Sequence, residues 1–403
     1  MSTSPTTGQM LAIDGGMPVR STLLPYGRQS VDQVDIQAVV DVLRSDWLTT
    51  GPRVEEFENA FAEYVDAGHA VSFSSGTAAL HGAAFAAGLT AGDEAITTPL
   101  TFCATANCVL YQSARPVFAD VCGDTLNLDP ERVAERVGPR TRAVIPVDYA
   151  GHPADLTPIL NLAEKHGLTV IEDACHSLGA EYRGRRVGAM AHMTVFSFHP
   201  VKHVATGEGG MVTTDRSDFA RRLRQFRNHG ITTDARQRQS SGQWHYEMIS
   251  LGFNYRLTDI ACALGLSQMK KLPENLAWRR QIALTYTKAF EELRGVVTPV
   301  VRSDVNPAWH LYPIRVDAAK LSVGRAEVFR ALRAENIGVN VHYIPVHLHP
   351  YYREQFGFKP GDYPIAERAY EQLISLPMFH GMSEQDVQDV IAAVKKVVGA
   401  LAK

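Results

Sequence analysis

One lysine stands alone between a short strand pattern and a glycine-rich stretch. Lys202 is the sole lysine between Lys165 and Lys270, although arginines are frequent there. Val195–Phe198 has the β-branched and aromatic residues of a buried strand, and Pro200 ends it, so Lys202 is predicted on a loop just past a strand end. Open α/β sheets bind ligands at such ends. A lysine among apolar groups loses its proton more easily and can form a Schiff base with a carbonyl. The structural alternative is a solvated loop lysine.

An acidic pair follows another strand pattern. Leu168–Ile171 is predicted to be a strand, and Glu172 and Asp173 come directly after it, with His176 close behind. Carboxylates at the end of a buried strand need partners. Both Asp173 and His176 also have structural interpretations. Asp173 could cap the next element, and His176 could be a hydrogen-bonded interior histidine.

A strand–turn–helix pattern lies earlier in the chain. Ala70–Phe73 predicts a strand, Ala78–Ala87 predicts an alanine-rich helix, and the sequence SSGT joins them. Free backbone N–H groups and the positive end of the helix dipole converge at a helix start, so Gly76 and Thr77 could bind a phosphate. Serine and threonine are also good N-caps when no ligand is bound.

Together these features are those of a pyridoxal phosphate site. Lys202 would hold the cofactor and move protons at the substrate carbon. Asp173 would keep the pyridine nitrogen protonated, so that the ring accepts electrons. The other predicted contacts are Gly76, Thr77 and Ser197 with the phosphate, Phe102 with the face of the ring, and His176 with its hydroxyl. Phe102 has the alternative of a core position, which is common for an aromatic residue at helical spacing.

The amino-acid composition does not indicate a nucleic-acid or membrane partner. The chain has 403 residues, 45% hydrophobic content and a formal net charge of −3, as expected for a soluble protein large enough for two domains. No charge asymmetry indicates nucleic acid or a membrane surface, and the apolar runs are too short to span a bilayer. The N-terminus lacks a signal-peptide pattern. The five cysteines are odd in number and show no CxxC spacing, which argues against disulfides and zinc and favours a reduced, cytoplasmic setting.

Alternating patterns predict βαβ units and a mostly parallel sheet. The stretch Leu251–Leu266 begins with LGFNYRLTD and runs into an alanine- and leucine-rich helix. This helix is predicted to continue past Pro273 as a second helix, Asn275–Leu293. Later strands are predicted at Val296–Val301, Tyr312–Val316 and Val339–Tyr343, and later helices at Arg325–Glu335 and Glu384–Leu401. These patterns predict a large α/β domain over 1–289, with an N-terminal arm and bridging helices, and a smaller α+β domain over 290–403.

Two loops and a histidine group carry weaker signals. Thr232–Gln243 is polar and is predicted to be a mobile loop near a site. The loop containing Thr50 could be part of a site or only a connector between two helices. His342, His347 and His349 could suggest a metal, but the intervening prolines and the lack of nearby carboxylates favour loop histidines, so no metal is expected.

The chain resembles the sugar aminotransferases of the DegT/DnrJ/EryC1/StrS family, which have the type I (aspartate aminotransferase-like) fold of pyridoxal phosphate-dependent transferases. The motifs that carry the resemblance are LTTGP (Leu48–Pro52), SSGTAAL (Ser74–Leu80), EDACHS (Glu172–Ser177), SFHPVK (Ser197–Lys202), GEGG (Gly207–Gly210), GFNYRLTD (Gly252–Asp259) and HYIPVHLHPYY (His342–Tyr352). The resemblance implies that Asn254 reaches the cofactor phosphate of the neighbouring subunit, so the active unit is a homodimer with shared active sites. Its candidates for substrate contacts are Thr50, Tyr149, Arg256 and His342.

Within the family, the sequence is similar to the branch that serves pseudaminic acid biosynthesis. VDYAG (Val147–Gly151), His176 and the stretch from Ser197 to Gly210 carry this similarity. It implies transfer of an amino group from L-glutamate to C4 of a UDP-linked 4-keto-6-deoxy-N-acetyl hexose, with 2-oxoglutarate as the second product. The alternatives are another nucleotide keto-sugar aminotransferase, such as a 4-amino-arabinose or perosamine type, and a non-catalytic cofactor-binding regulator. A sugar 3-dehydratase of the same fold would have histidine in place of Lys202.

Overall fold

The computed structural model describes residues 10–403, and all their side chains except those at positions 235 and 237. The α-helices are Gln33–Leu43, Pro52–Tyr64, Gly76–Ala86, Ala104–Leu110, Pro130–Arg136, Leu156–His166, Ser217–Phe226, Ala235–Ser241, Asp259–Phe290, Arg325–Ala334, Pro350–Phe356, Pro364–Gln372 and Glu384–Leu401. The 3-10 helices are Ala12–Asp14, Tyr149–Gly151 and Val346–Leu348. The strands are His69–Phe73, Glu94–Thr97, Arg115–Phe118, Thr141–Ile145, Thr169–Asp173, Glu181–Tyr182, Arg185–Arg186, Met193–Ser197, Gly210–Thr214, Val296–Val297, Val305–Asn306, Tyr312–Val316 and Leu373–Leu376.

A seven-stranded sheet forms the centre of the part that the structure describes. Its spatial order is His69–Phe73, Gly210–Thr214, Met193–Ser197, Thr169–Asp173, Thr141–Ile145, Glu94–Thr97 and Arg115–Phe118. Gly210–Thr214 is antiparallel to both of its neighbours, and the other pairs in this sheet are parallel. The predicted mostly parallel sheet is therefore confirmed. Because parallel strands end at the same edge, the segments after Phe73, Asp173 and Ser197 meet there.

Helices cover both faces of this sheet. On the edge strand His69–Phe73, Val71 and Phe73 face one side, where they pack with the helices Gly76–Ala86 and Ser217–Phe226. Ala70 faces the opposite side, which is covered in part by the helix Pro52–Tyr64. Because helices cover both faces, four consecutive residues of this strand, from Ala70 to Phe73, are buried.

A single long helix, Asp259–Phe290, replaces the two helices predicted around Pro273. It has 32 residues and contains Pro273 in its interior. Proline removes one backbone donor and costs a few kcal/mol in a helix interior. Leu272 and Leu276, on either side of Pro273, are buried against the core and offset that loss. The prediction was wrong because tertiary packing overrides a local break signal.

The C-terminal part contains a three-stranded sheet of Val296–Val297, Tyr312–Val316 and Leu373–Leu376. The predicted strand Val339–Tyr343 was wrong, because only Asn340 pairs with the sheet, exchanging backbone hydrogen bonds with Ser375. The chain then leaves the sheet and carries His342 towards the large sheet's edge. Val296–Val301 was predicted too long, and the division at residue 289 stays a prediction.

Three further findings concern loops, cysteines and membranes. The predicted mobile loop Thr232–Gln243 contains the helix Ala235–Ser241. All five cysteines are free thiols. Across residues 10–403, no helix has the length and apolar character needed to cross a membrane.

The packing of the long helix on the helix Pro52–Tyr64 can be tested at Gly265. A Cβ atom there would lie 2.6 Å from Cζ of Phe57, which is fully buried. We expect Gly265→Ala to destabilise the protein by about 1–3 kcal/mol in urea unfolding, because Phe57 must move. Gly399 is the matched control, since it is also helical and exposed with open space around it. At Gly399, alanine should raise the free energy of unfolding by about 0.5–1 kcal/mol, because glycine is a poor helix former. Equal stability gains at both positions would contradict this packing.

Candidate active site

The start of the helix Gly76–Ala86 lies against the end of the strand Met193–Ser197. A Cβ atom on Gly76 would lie 2.9 Å from Cβ and 3.1 Å from Oγ of Ser197, so this close approach requires glycine. Ser75 caps the helix by accepting a 3.1 Å hydrogen bond from the Ala78 N–H. The N–H groups of Gly76 and Thr77 have no intrahelical acceptor, as is general for a first turn. These donors and the Ser197 hydroxyl provide a concavity suited to a phosphate.

Asp173 lies at the end of its strand and is buried. Its Oδ2 accepts a 2.7 Å hydrogen bond from Thr105 Oγ1, and its Oδ1 accepts a 3.2 Å hydrogen bond from the Cys175 N–H. The bond from Cys175 caps the turn that follows Asp173, so the capping alternative accounts for Oδ1, whereas Oδ2 bonds a residue 68 positions away. Sequence reasoning missed Thr105. Its hydroxyl also lies 2.8 Å from that of Thr101, but no local pattern connects Thr105 with Asp173, 68 residues away.

Lys202 lies on the loop after the strand Met193–Ser197, as predicted. It is only partly exposed, so the alternative of a solvated loop lysine is wrong. Burial lowers its pKa below the usual lysine value, although Cys175 and Asp173 act in the opposite direction. The guanidinium of Arg279 lowers this pKa further. The amine therefore becomes neutral at a lower pH than that of a free lysine.

Three buried histidines form a row of rings near Lys202. The ring centroids of His176 and His310 are 4.5 Å apart, and those of His310 and His203 are 5.8 Å apart. Burial is the main cause that lowers each pKa well below the usual histidine value. The positive charge of Lys202 also lowers the pKa values of all three. The imidazoles are therefore neutral near pH 7. His310 and His203 were not predicted as site residues.

His176 has one bonded and one unbonded ring nitrogen. Its Nε2 shares a 3.0 Å hydrogen bond with the hydroxyl of Tyr343, another residue that sequence reasoning missed. Its Nδ1 is buried and, among the described residues, has no hydrogen-bond partner. An unsatisfied buried nitrogen is costly in the absence of a ligand. This atom is thus available to a polar group of a bound molecule, and His176 is more than a satisfied interior histidine.

Phe102, Tyr149 and His342 lie around the same region. The Phe102 side chain is 56% exposed, so the core alternative is wrong, and its ring centroid is 6.1 Å from that of Tyr343. The Tyr149 hydroxyl donates a 2.5 Å hydrogen bond to the backbone oxygen of His342. Burial lowers the pKa of His342 to about 4, and the charge of Lys202 adds to this effect. The structure therefore brings Tyr149 and His342 together near the lysine.

Thr50 and Arg256 line a different concavity, a cavity of about 740 Å³ to which Lys202 does not contribute. Arg256 donates a 2.6 Å hydrogen bond to Asn228 Oδ1, and its Nε is buried without a partner among the described residues. The basic side chains that line the cavity are Arg221, Arg224, Arg227, Arg236 and Arg256, and the acidic ones are Glu55, Glu58 and Asp234. The cavity has an excess of positive charge and suits an anionic ligand.

Asn254 lies on an extended segment held by aromatic rings. The rings of Phe253 and Tyr255 are stacked with centroids 5.0 Å apart, and both pack near the buried His81. Alternate residues of an extended segment point to opposite sides, and Asn254 is accordingly exposed. The Ser74 N–H donates a 2.7 Å hydrogen bond to the backbone oxygen of Tyr255. This bond fixes the segment beside the turn that leads to Gly76.

The histidines considered as metal ligands, His342, His347 and His349, do not form one metal-binding group. His347 Nε2 lies 3.0 Å from Glu367 Oε1, a carboxylate that is distant in sequence. His342 Nδ1 shares a 2.9 Å hydrogen bond with Ser375 Oγ. Over residues 10–403, no group of three or more histidine, cysteine, aspartate or glutamate side chains is arranged to hold a metal ion.

Comparison with known proteins identifies the family. Residues 29–395 match the DegT/DnrJ/EryC1/StrS aminotransferase family. The chain belongs to this family. It is therefore a sugar aminotransferase that depends on pyridoxal 5′-phosphate, as the sequence motifs predicted.

Individual relatives are similar over nearly their whole length. The spore coat polysaccharide biosynthesis protein SpsC of Bacillus subtilis is 46% identical over 94% of this chain and 98% of its own. Helicobacter pylori PseC, an aminotransferase involved in the biosynthesis of pseudoaminic acid, has a TM-score of 0.87 at 33% identity, covering 93% of this chain and 99% of its own. A sugar aminotransferase of Streptococcus pneumoniae in its PLP form has a TM-score of 0.87 at 29% identity, covering 93% and 98%.

The residues at the sheet edge fit this cofactor. A Cβ atom on Gly210 would lie 2.5 Å from the backbone oxygen of Ser75, so glycines on two sides leave room at the helix start. The free N–H groups of Gly76 and Thr77 suit the phosphate. The unpartnered Nδ1 of His176 suits a ring hydroxyl.

The aromatic surroundings of His81 generate a pH prediction. Burial lowers its pKa to about 4. Between pH 6.5 and 4, the unfolded chain binds a proton that the folded protein does not, so stability falls as the pH falls. We expect His81→Leu to remove about 1–2 kcal/mol of the stability loss between pH 7 and pH 5 in urea unfolding.

The control for His81→Leu is Leu80→Ala, at a buried residue of the same helix that has no titratable group. Leu80→Ala should lower the free energy of unfolding and keep the pH dependence of the wild type. If His81→Leu has the same pH slope as the wild type, His81 binds its proton equally in the folded and unfolded chains, and the lowered pKa is wrong.

Proposed function

We propose that this enzyme transfers the amino group of L-glutamate to C4 of a UDP-linked 4-keto-6-deoxy-N-acetyl hexose. The products are UDP-4-amino-4,6-dideoxy-N-acetyl-β-L-altrosamine and 2-oxoglutarate. The observation that supports a nucleotide-linked sugar is the arginine-lined cavity beside Thr50 and Arg256. Guanidinium groups bind phosphate oxygens in pairs, which suits a diphosphate. The similarity to PseC supports the particular sugar.

The burial and neighbours of the residues at the sheet edge support the proposed cofactor contacts, and the family resemblance supports that of Asn254. Lys202 attaches the cofactor, and Asp173 pairs with its ring nitrogen. Phe102 covers the ring face, and His176 contacts the ring hydroxyl. The phosphate contacts are Gly76, Thr77 and Ser197 of the same chain, together with Asn254 from the neighbouring subunit. The substrate contacts are Tyr149 and His342 near Lys202, and Thr50 and Arg256 in the arginine-lined cavity.

Lys202 carries the proton in both halves of the reaction. Bound pyridoxal phosphate supplies an electron-accepting ring that stabilises negative charge on the reacting carbon. Lys202, with its lowered pKa, takes the proton from the α-carbon of glutamate and later delivers one to C4 of the sugar. The neutral His176 and His310 add no positive charge or acidic proton that would compete. Delivery from one fixed side sets the configuration of the new amine.

A different nucleotide keto sugar is the second candidate. SpsC, which serves spore coat polysaccharide biosynthesis, is more similar in sequence than PseC, at 46% against 33% identity. Amination of a keto sugar is the same chemistry in either case. The two candidates therefore differ in the sugar that the substrate pocket accepts.

Spectroscopy of the two half-reactions tests the function. We expect L-glutamate to bleach the visible band of the purified holoenzyme. After glutamate is removed, the UDP-4-keto-6-deoxy-N-acetyl hexose should restore the band within a turnover time. Bleaching without restoration by this sugar would reject the pseudaminic substrate and leave other nucleotide keto sugars. A holoenzyme that glutamate does not bleach would reject L-glutamate as the amino donor.

Mixed dimers test whether Asn254 serves the neighbouring subunit. Lys202→Ala and Asn254→Ala should each be inactive as homodimers. A mixed dimer of the two has one intact site only if lysine and asparagine come from different chains. Random mixing should then restore about a quarter of the wild-type activity, because half of the dimers are mixed and each has one intact site.

The control mixes the double variant Lys202→Ala, Asn254→Ala with the wild-type chain. If the sites are shared, mixed dimers in this pairing have no intact site. If Asn254 acts within its own chain, the control dimers are half active and the first mixture is inactive. That result would reject the shared site.

A further inference from the structure

Two carboxyl groups beside Asp173 are used by none of the roles described above. Glu172 and Asp148 both have 0% of their surface exposed. Glu172 precedes Asp173 on the strand Thr169–Asp173, and Asp148 follows the adjacent strand Thr141–Ile145. Burying one ionised carboxylate is costly, and burying two side by side is costlier. Their partners must therefore account for them.

Asp148 is connected to the site through its backbone and its side chain. Its N–H donates a 3.1 Å hydrogen bond to the backbone oxygen of Asp173, whose own N–H donates 2.8 Å to Pro146. Its Oδ1 accepts from the Ala154 N–H at 2.8 Å, and its Oδ2 accepts from Ser177 Oγ at 2.5 Å. The position of Asp148 therefore fixes the backbone from which the Asp173 side chain extends.

Glu172 has one satisfied oxygen. Its Oε2 accepts a 2.9 Å hydrogen bond from Thr194 Oγ1 on the next strand. Its Oε1 is buried and has no hydrogen-bond partner among the described residues. The Asp148 side chain lies within hydrogen-bonding reach of this carboxyl group, but two ionised carboxylates have no proton to share. A single proton between the two groups would turn this repulsive contact into a hydrogen bond and satisfy the buried oxygen.

No positive charge neutralises the pair. Across residues 10–403, neither carboxylate forms an ion pair with lysine, arginine or histidine, and the charge of Asp173 raises the pKa of both. Burial raises the pKa of Glu172 well above its usual value, and the charge of Asp148 raises it further. Burial also raises the pKa of Asp148. These directions agree with a retained proton.

We propose that Glu172 and Asp148 share one proton in a carboxyl–carboxylate hydrogen bond, and that this bond positions the strand end that carries Asp173. The positioning part rests on the proposed function, in which Asp173 pairs with the cofactor ring. Glu172 and Asp148 touch neither cofactor nor substrate in this proposal and act through the Asp173 backbone. With the shared proton, the pair behind Asp173 carries one negative charge instead of two.

Infrared spectroscopy of the holoenzyme tests the shared proton. We expect the wild type at pH 8 to show the C=O band of a protonated carboxylic acid, with a shift in deuterated solvent. Glu172→Gln should remove the band, because its amide donates to Asp148 without a titratable proton. Glu164→Gln, on the exposed side of the helix Leu156–His166, should leave the band unchanged. A wild type without the band, or a band that persists in Glu172→Gln, would overturn the shared proton.

Cofactor affinity tests the positioning role. Glu172→Met leaves Asp148 and Thr194 without their partner, so the dissociation constant of pyridoxal phosphate should rise at least about 10-fold, or ~1.4 kcal/mol. Glu172→Gln should bind within about 3-fold of the wild type. Val170→Ala, on the same buried strand, controls for general destabilisation and should keep its affinity. Equal losses in Glu172→Met and Val170→Ala, or no loss in Glu172→Met, would reject the role.

The two proposals can fail separately. The infrared band is measured without turnover, so a protein that shows the band but aminates no keto sugar would contradict the proposed function and leave the shared proton intact. Conversely, full transamination by an enzyme without the band would contradict this inference alone.

Discussion

The site depends on the burial of one positive charge, that of Lys202, at the edge of the large sheet. Water would keep this amine protonated, and its removal lowers the pKa of the lysine. His176 and His310 are themselves buried, which lowers their pKa values and keeps them neutral, and the charge of Lys202 lowers these pKa values further. Asp173 is the nearby carboxylate that acts in the opposite direction. Burial and the Asp173 carboxylate therefore shift the pKa of Lys202 in opposite directions, and the neighbouring imidazoles stay neutral. A lysine that transfers protons needs a pKa that allows both its neutral and its charged form.

The strand directions create this arrangement. Parallel strands end at one edge, which brings the segments after Asp173 and Ser197 together with the start of the helix at Gly76. The strand Gly210–Thr214 runs in the opposite direction, so its first residue lies at the same edge and contacts the turn at Ser75. Backbones approach this closely only where side chains are absent, which explains the glycines on both sides of the helix start.

Charge is distributed between two regions of the molecule. Carboxyl groups gather at the strand ends, where Asp148 and Glu172 are buried behind Asp173. Arginines gather in the cavity that Thr50 and Arg256 line, and Lys202 does not reach that cavity. In the proposed dimer, each site would combine the strand ends of one chain with Asn254 of the other. The cofactor's ring nitrogen and the substrate's phosphates would then meet charges of opposite sign from different parts of the fold.

The sequence by itself determined the family, the parallel sheet, and the strand-end positions of Lys202 and Asp173, because these follow from local patterns and short motifs. It also indicated the helix start at Gly76, since a first turn always has free N–H groups. Only the tertiary structure paired Asp173 with Thr105, 68 residues away, and His176 with Tyr343, 167 residues away. Tertiary packing also kept the helix continuous through Pro273 and took residues near His342 out of the sheet. Such contacts depend on how distant segments pack, and no local pattern records that.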